Sequence, residues 1–446
     1  MLTHQTRDDP AGPETRGLSQ PPNWIPVGDG LAPGAPVDVR DTGSDPSALS
    51  DLALRAAYTV PQFNTEWAAR RIHLPQVLVG EILEQLRADK LLDVLGQAGP
   101  FGFRYSISQR GCERADRLLE VSGYVGPAPV PLESYNAALA WQLGRSPKVS
   151  PERVAAALSG LVLPSEAAQL AGLAVSSGRS LFLFGPPGNG KSSLGRALHD
   201  ALSGDLWIPY CIEIEGSVIR LFDPHCHQPV EMGAEQRRSI DQRWVKVRRP
   251  LIVAGGEMTI DSLDLTYIPS LRSYEAPLHL KANGGTFLVD DFGRQRVDPH
   301  ELLNRWIIPL EHQIDYMTLR TGQKFQVPLS QMLIIATNLD LEGVTDPAFL
   351  RRMGYRLYLS KPTPELYSRI FERYATGCGL AIRPGLVGRL IERYAAEGRE
   401  LRCCEPRDLI ERAREICEFD GRPADLDDEV LDFAWTGYFG NKPMDA

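Results

Sequence analysis

The sequence is short of long apolar runs, of spaced cysteines and of lysine, and each shortage closes off a class of protein. No apolar stretch approaches the roughly 18 residues needed to span a bilayer. The opening residues MLTHQTRDDPAGPETRG lack the basic segment followed by an apolar one that marks a secretory signal. A cytoplasmic chain with no membrane insertion is the expectation. Seven cysteines (Cys112, Cys211, Cys226, Cys378, Cys403, Cys404 and Cys417) are an odd number without CxxC spacing, which indicates neither a disulfide framework nor a four-ligand zinc site. A net charge of −9 argues against general adhesion to nucleic acid. What remains is an ordinary globular composition over 446 residues, long enough for roughly two to four domains.

The first 47 residues are rich in Pro, Gly, Asp and Ser without apolar periodicity, and read as a disordered leader. From Leu49 the segments SALSDLALRAAY, NTEWAARRIHL and PQVLVGEILEQLRADK carry apolar residues at helical spacing. LLDVLG and FRYSIS flank the turn QAGPFG as a β-like pair, and SQRGCERADRLLEV closes the unit as a helix. Three helices and a two-stranded wing, residues 48–124, resemble a winged helix. Such modules often bind DNA through the third helix. Here that helix sets Glu81, Glu84 and Asp89 against Arg87 and Lys90, and over residues 49–125 nine basic residues meet nine acidic ones. DNA-binding modules carry a basic excess, so contact with a protein client or adaptor is the preferred reading and DNA the alternative. Residues 125–160, opening with the Pro-rich GPAPVPLESY, read as a linker.

SLFLFGPPGNGKSSLGRALHDAL, residues 180–202, is an apolar strand, a glycine-rich turn and a helix. Gly185, Gly190, Lys191 and Ser192 fit G-x-x-x-x-G-K-[ST]. In that pattern backbone N–H groups wrap phosphates, the lysine reaches the β and γ oxygens, and the hydroxyl ligates Mg²⁺. The whole loop Gly185, Pro186, Pro187, Gly188, Asn189, Gly190, Lys191, Ser192 and Ser193 is therefore the candidate ATP cradle. With only eight lysines in the chain, such a match has little scope to arise by chance. Downstream, TFLVDDFGR is an apolar strand that stops at two acids. A P-loop nucleotidase needs an Asp there for the metal, which assigns Asp290 with Ser192 to Mg²⁺, and a following acid as general base. Asp291 takes that place, with a side chain one methylene shorter than the usual Glu. QMLIIATN ends a further strand on Asn338, DPAFLRRMGYRLYL brings Arg351 and Arg352, and EPRDLIERAREI sets Arg407 at a helix start.

The ordered set resembles the AAA+ ATPase family over residues 161 to about 440. The resemblance implies an α/β fold, an αβα sandwich with a parallel sheet in strand order 5-1-4-3-2 over residues 161–360. It also implies a helical lid over 361–446, and ATP bound between subunits of a ring, usually a hexamer. Asn338 then matches sensor 1, Arg407 matches sensor 2, and Arg352, with Arg351 second, matches the finger that reaches a neighbour's site. KANGGTFLVDDFGRQRVDPHELLNRWIIPLE and the alternating IDYMTLRTGQKFQVP resemble the MoxR-like clade with its pre-sensor hairpin. The GAFTGA loop of enhancer-dependent activators is absent from the sequence. The activity implied is ATP hydrolysis coupled to remodelling a protein partner; a DNA-binding regulator and an ATP-gated scaffold with little hydrolysis are the alternatives. The long stretch between the P-loop and TFLVDD reads as inserts. Cys403 and Cys404 read as buried or idle thiols, Arg248 and Arg249 as a solvated strand end. His225, Cys226 and His227, being adjacent, read as no metal site.

Overall fold

A computed structural model describes residues 23–28, 30–97, 103–339, 347–423 and 425–440. Residues 1–22 of the expected leader and residues 98–102 of the expected wing turn lie outside the described residues. The chain forms two compact units, 1–146 with 205–248 and 267–275, and 147–204 with 249–266 and 276–446.

The second unit is built on continuous apolar runs. Strands β1 (Leu181–Phe184), β2 (Leu251–Ala254), β3 (Thr286–Val289), β4 (Met332–Thr337) and β5 (Tyr355–Tyr358) form one sheet in the order β2-β3-β4-β1-β5. Every pairing is parallel, with Leu288 opposite Ile334 and Leu181 opposite both Ile334 and Tyr355. All of β3 and β4 is buried, as expected where helices cover both faces of a parallel sheet. Helix α1 (Lys191–Asp200) sends Leu194 and Leu198 onto Leu288 and Ile334, and helix Ser165–Ser177 adds Ala171 and Ala174 to the same core. The strand ends point one way, so the loops after β1, β3 and β4 share one edge, where open α/β sheets hold ligands.

The chain then forms α2 (Pro364–Gly377), α3 (Leu386–Ala396), α4 (Glu405–Phe419) and α5 (Asp428–Phe439). Thr363 and Asp427 cap α2 and α5 by accepting from the N–H groups of Leu366 and Val430, each worth about 1 kcal/mol. Tyr367, Phe371, Tyr394, Leu409 and Trp435 form a core of their own. Among the described residues no helix is long and apolar enough to cross a membrane.

The first unit contains helices Pro46–Tyr58, Thr65–Ile72, Gln76–Ala88 and Gln109–Val121. A three-stranded sheet pairs Phe103–Ile107 with both Phe63–Asn64 and Leu92–Gln97. Three features depart from the sequence reading. Disorder through residue 47 does not hold from Trp24 onward: Trp24–Val27 pairs antiparallel with Gly30–Pro33. Trp24, Trp141, Trp207 and Trp244 share one buried cluster, which orders that hairpin. Residues 125–160 are no plain linker, since they carry helices Leu132–Arg145 and Pro151–Leu158. The stretch after the P-loop supplies Asp205–Pro209, Cys211–Ile214, Ser217–Arg220 and Trp244–Arg248 as strands of the first unit. Cys211–Ile214 pairs with Val130–Pro131, and buried Arg243 holds Asp241 at 2.8 Å and the Thr42 carbonyl at 2.8 Å.

Candidate nucleotide site

The turn between β1 and α1 is shaped by glycines at φ +131° (Gly185), +78° (Gly188) and +82° (Gly190), a region L side chains rarely adopt. Space enforces the choice as well: a Cβ on Gly185 would lie 2.4 Å from the Leu359 carbonyl oxygen, and one on Gly188 2.8 Å from Cys404 Sγ. The turn delivers Lys191 and Ser192 to the first turn of α1, whose leading N–H groups have no carbonyl partner within the helix. Lys191 Nζ donates to the carbonyls of Gly185 at 2.7 Å and Pro186 at 2.8 Å. Burial lowers its pKa below the usual lysine value, against the opposing pull of Asp291 and Asp290. Asn189 is buried, and its Nδ2 has no hydrogen-bond partner among the described residues.

The two acids follow β3 directly. The Asp290 N–H donates to the Ala254 carbonyl on β2 at 2.8 Å, and its Oδ1 accepts from Ser192 Oγ at 2.7 Å and from the Asp291 N–H at 3.1 Å. Asp291 is exposed and sits at φ +48°, a conformation for which Asp and Asn are enriched among non-glycine residues. Its Oδ1 accepts from Asn338 Nδ2 at 2.9 Å, just past the end of β4. The turn beyond is braced: Phe292 N–H donates to the Ala336 carbonyl at 2.8 Å, Thr337 Oγ1 to the Phe292 carbonyl at 2.7 Å, and Gln295 Nε2 to the Asp290 carbonyl at 2.9 Å. Lys191, Ser192, Asp290, Asp291 and Asn338 thus meet at one edge of the sheet.

A cleft of about 890 Å³ opens over them. Its lining includes residues 187–193, Asp290, Asp291, Arg294 and Asn338, and the more apolar Leu161–Pro164, Leu366, Ile370 and Tyr374. Arg407 lines the cleft and holds Asp408 at 3.0 Å. The two expected finger residues do not line it: Arg352, at the end of helix Pro347–Arg352, pairs with Glu311 at 2.9 Å, and Arg351 lies beside it. The sequence reading missed Arg294, Arg373, Cys378, Cys403 and Cys404 as cleft residues. The main chain of Cys403 and Cys404 touches the phosphate loop: the Cys404 N–H donates to the Gly188 carbonyl at 2.9 Å, and the Cys403 N–H to Asn189 Oδ1 at 3.5 Å. Burial pushes the Cys403 thiol up to about 11 and raises Cys404, so neither is an activated nucleophile. Arg249 is not solvated either, as its guanidinium donates to the carbonyls of Ser203 and Gly284. Among the described residues no cluster of three or more His, Cys, Asp or Glu could hold a metal.

Residues 363–437, from the start of α2 into α5, match a family described as a domain of unknown function (DUF8689). No curated protein is similar in sequence. Among solved structures, NtrX from Brucella abortus in complex with ADP is similar at a TM-score of 0.39 and 16% identity, over 74% of this chain and 62% of that one. NtrX in complex with ATP gives 0.38 and 16%, over 74% and 67%. The Thermotoga maritima RuvB Holliday junction branch migration motor gives 0.34 and 14%, over 66% and 72%. The chain therefore spans less than two thirds of that first NtrX chain, and likenesses of this size carry no statement about activity.

Proposed function

We propose that this chain is an AAA+ ATPase of the MoxR-like kind, which binds ATP with Mg²⁺ and hydrolyses it to ADP and phosphate. The observation that carries the proposal is the 2.7 Å contact of Ser192 Oγ with Asp290 Oδ1, which joins the phosphate loop to the acid at the end of β3. Ser192 and Asp290 would hold the metal, and buried Asn189 Nδ2, without a partner among the described residues, is a donor suited to a phosphate cradle. When bound, Mg²⁺ neutralises charge on the β and γ oxygens. The loop N–H groups and Lys191 bind the phosphates, and Lys191 exchanges its two carbonyl partners for phosphate oxygens. Asn338 orients the attacking water, and Asp291 takes its proton. Arg407, as sensor 2, leaves Asp408 for the γ-phosphate. Arg352, or Arg351 next to it, acts in the site of a neighbouring copy, which fits their placement away from this chain's own cleft. On this reading the subunits form a ring, residues 364–439 are the lid, and residues 48–124 are a winged helix that recruits a protein client for ATP-driven remodelling in the cytoplasm.

A second reading, an ATP-gated scaffold with little turnover, is favoured by one feature: Asp291 has a short side chain already held by Asn338. Phosphate release at saturating ATP-Mg²⁺, with Lys191→Ala as the blank, tests both. Turnover above the blank supports the ATPase. Tight ATP binding with release no faster than the blank supports the scaffold. Absence of binding in the unmodified chain sinks both. Salt-sensitive stimulation by duplex DNA in the same assay would assign residues 48–124 to DNA rather than to a protein client.

A further inference from the structure

The charged groups of the cleft are spoken for, with one exception. Lys191 holds the Gly185 and Pro186 carbonyls, Asp290 holds Ser192, Asp291 holds Asn338, Arg407 holds Asp408, and Arg373 reaches the Leu161 carbonyl at 3.4 Å. Arg294 lines the same cleft, and among the described residues its side chain has no hydrogen bond, ion pair or ring contact. Its backbone is fixed on the turn that carries both acids. The Arg294 N–H donates to the Asp291 carbonyl at 3.0 Å, and Gln295 braces the turn by accepting from the Gly293 N–H at 2.8 Å while donating to the Asp290 carbonyl at 2.9 Å. Gly293 is at φ +96°, a conformation L side chains rarely adopt, which fixes the path of the turn.

A guanidinium is always charged and offers a planar fork that matches phosphate oxygens. Arg294 leaves that fork unused two residues beyond Phe292, on the side of the cleft where Asp291 and Asn338 would meet the terminal phosphate. We infer that Arg294 contacts the γ-phosphate of the bound nucleoside triphosphate and supplies, from within the same chain, positive charge that favours the triphosphate over the diphosphate and stabilises charge on the transferring group. The inference deepens the proposed ATPase and rests on it. It also divides labour: Arg294 acts in its own site, so part of the chemistry survives without a neighbouring copy, whereas Arg352 acts only across subunits.

The test titrates the full chain with AMP-PNP and with ADP, both with Mg²⁺, by calorimetry, and measures kcat and KM for ATP, for the unmodified chain, Arg294→Ala and Arg294→Lys. Loss of charge-assisted hydrogen bonds predicts that Arg294→Ala weakens AMP-PNP about tenfold or more and leaves ADP binding unchanged. Its kcat should fall about a hundredfold, more than KM rises, and Arg294→Lys should recover part of both. An unchanged ratio of AMP-PNP to ADP affinity with unchanged kcat makes Arg294 a solvated surface arginine and overturns the inference. Equal weakening of both nucleotides overturns it too, since the contact would then lie on the shared phosphates or in the fold. If the unmodified chain binds neither nucleotide, the ATPase reading fails first, and that outcome is distinguishable because it does not depend on position 294.

Discussion

Arg243 in the first unit and Arg294 in the second are opposite uses of one side chain. Arg243 is about as buried as an arginine becomes, with both its nitrogen forks placed: three contacts to the Asp241 carboxylate at 2.8–3.1 Å and one to the Thr42 carbonyl. Arg294 is exposed, without a partner among the described residues, and sits over a cleft. A closed charge can only hold the chain together, and here it ties Thr42 to the segment that follows the P-loop. An open charge beside a phosphate loop can still bind something. The same contrast separates Arg249, which grips two carbonyls, from Arg407, which is half out in solvent with a replaceable surface partner.

The contrast breaks most sharply at Arg243. Removing one member of a buried ion pair strands the other, so Arg243→Ala should lower the stability of the first unit by about 3–5 kcal/mol. Chemical denaturation followed by tryptophan fluorescence reads this, because Trp207 and Trp244 belong to that unit. Replacing both partners, Arg243→Met with Asp241→Leu, should restore most of the loss; if the double variant is no better than the single one, Arg243 does more than neutralise Asp241. Next in size is Asp291. Asn tolerates φ +48° as Asp does but cannot take a proton, so Asp291→Asn should slow hydrolysis about a hundredfold or more while ATP still binds. Asp291→Glu lengthens the acid but strains the backbone by about 1–2 kcal/mol, so melting temperature and rate should move in opposite senses if reach limits turnover. Wild-type hydrolysis by the Asn variant would reduce Asp291 to a turn residue.

The parts of the site that could be read from sequence are those whose information is contiguous. LFLFGPPGNGKS and TFLVDD each contain a strand, its end and the residues at that end, and the structure brings those ends together around Asn338, which follows the strand between them. Arg294 was within reach, four residues past Asp290, but a lone arginine after a turn has no pattern of its own. Cys403 and Cys404 were beyond reach: their contact with Gly188 and Asn189 joins positions more than 200 residues apart. The first unit was hardest to read for the same reason. Its strands are two to six residues long, too short for a period to show, and Val130–Pro131 finds Cys211–Ile214 only across an intervening segment of the other unit. Trp24 stands alone among polar and Pro-rich residues in the sequence, and only the fold brings Trp141, Trp207 and Trp244 around it.

Closure, not location, is what marks a scaffold charge, as a third cluster shows. In the second unit Asp315, on the strand Ile314–Thr318, accepts from Arg305 at 2.5 and 2.6 Å and from His279 Nε2 at 2.8 Å, all within a buried pocket beside Trp306. Asp264 adds a further acid near Arg305 at 3.5 Å. Burial lowers the His279 pKa even though Asp315 pulls the other way, and the nearby Arg305 charge adds to the lowering. The folded chain therefore keeps His279 neutral where the unfolded chain would protonate it. Below the ordinary histidine pKa of about 6.5, the unfolded state binds the extra proton, so stability is fully present above that pH and falls as pH drops beneath it. His73 and His199, which burial also holds down, add to the same loss. His279→Gln keeps a donor for Asp315 but cannot titrate, so its denaturation midpoint should depend less steeply on pH below that value. A slope equal to that of the unmodified chain would mean His279 is charged in the fold, and that Asp315 answers two cations rather than one.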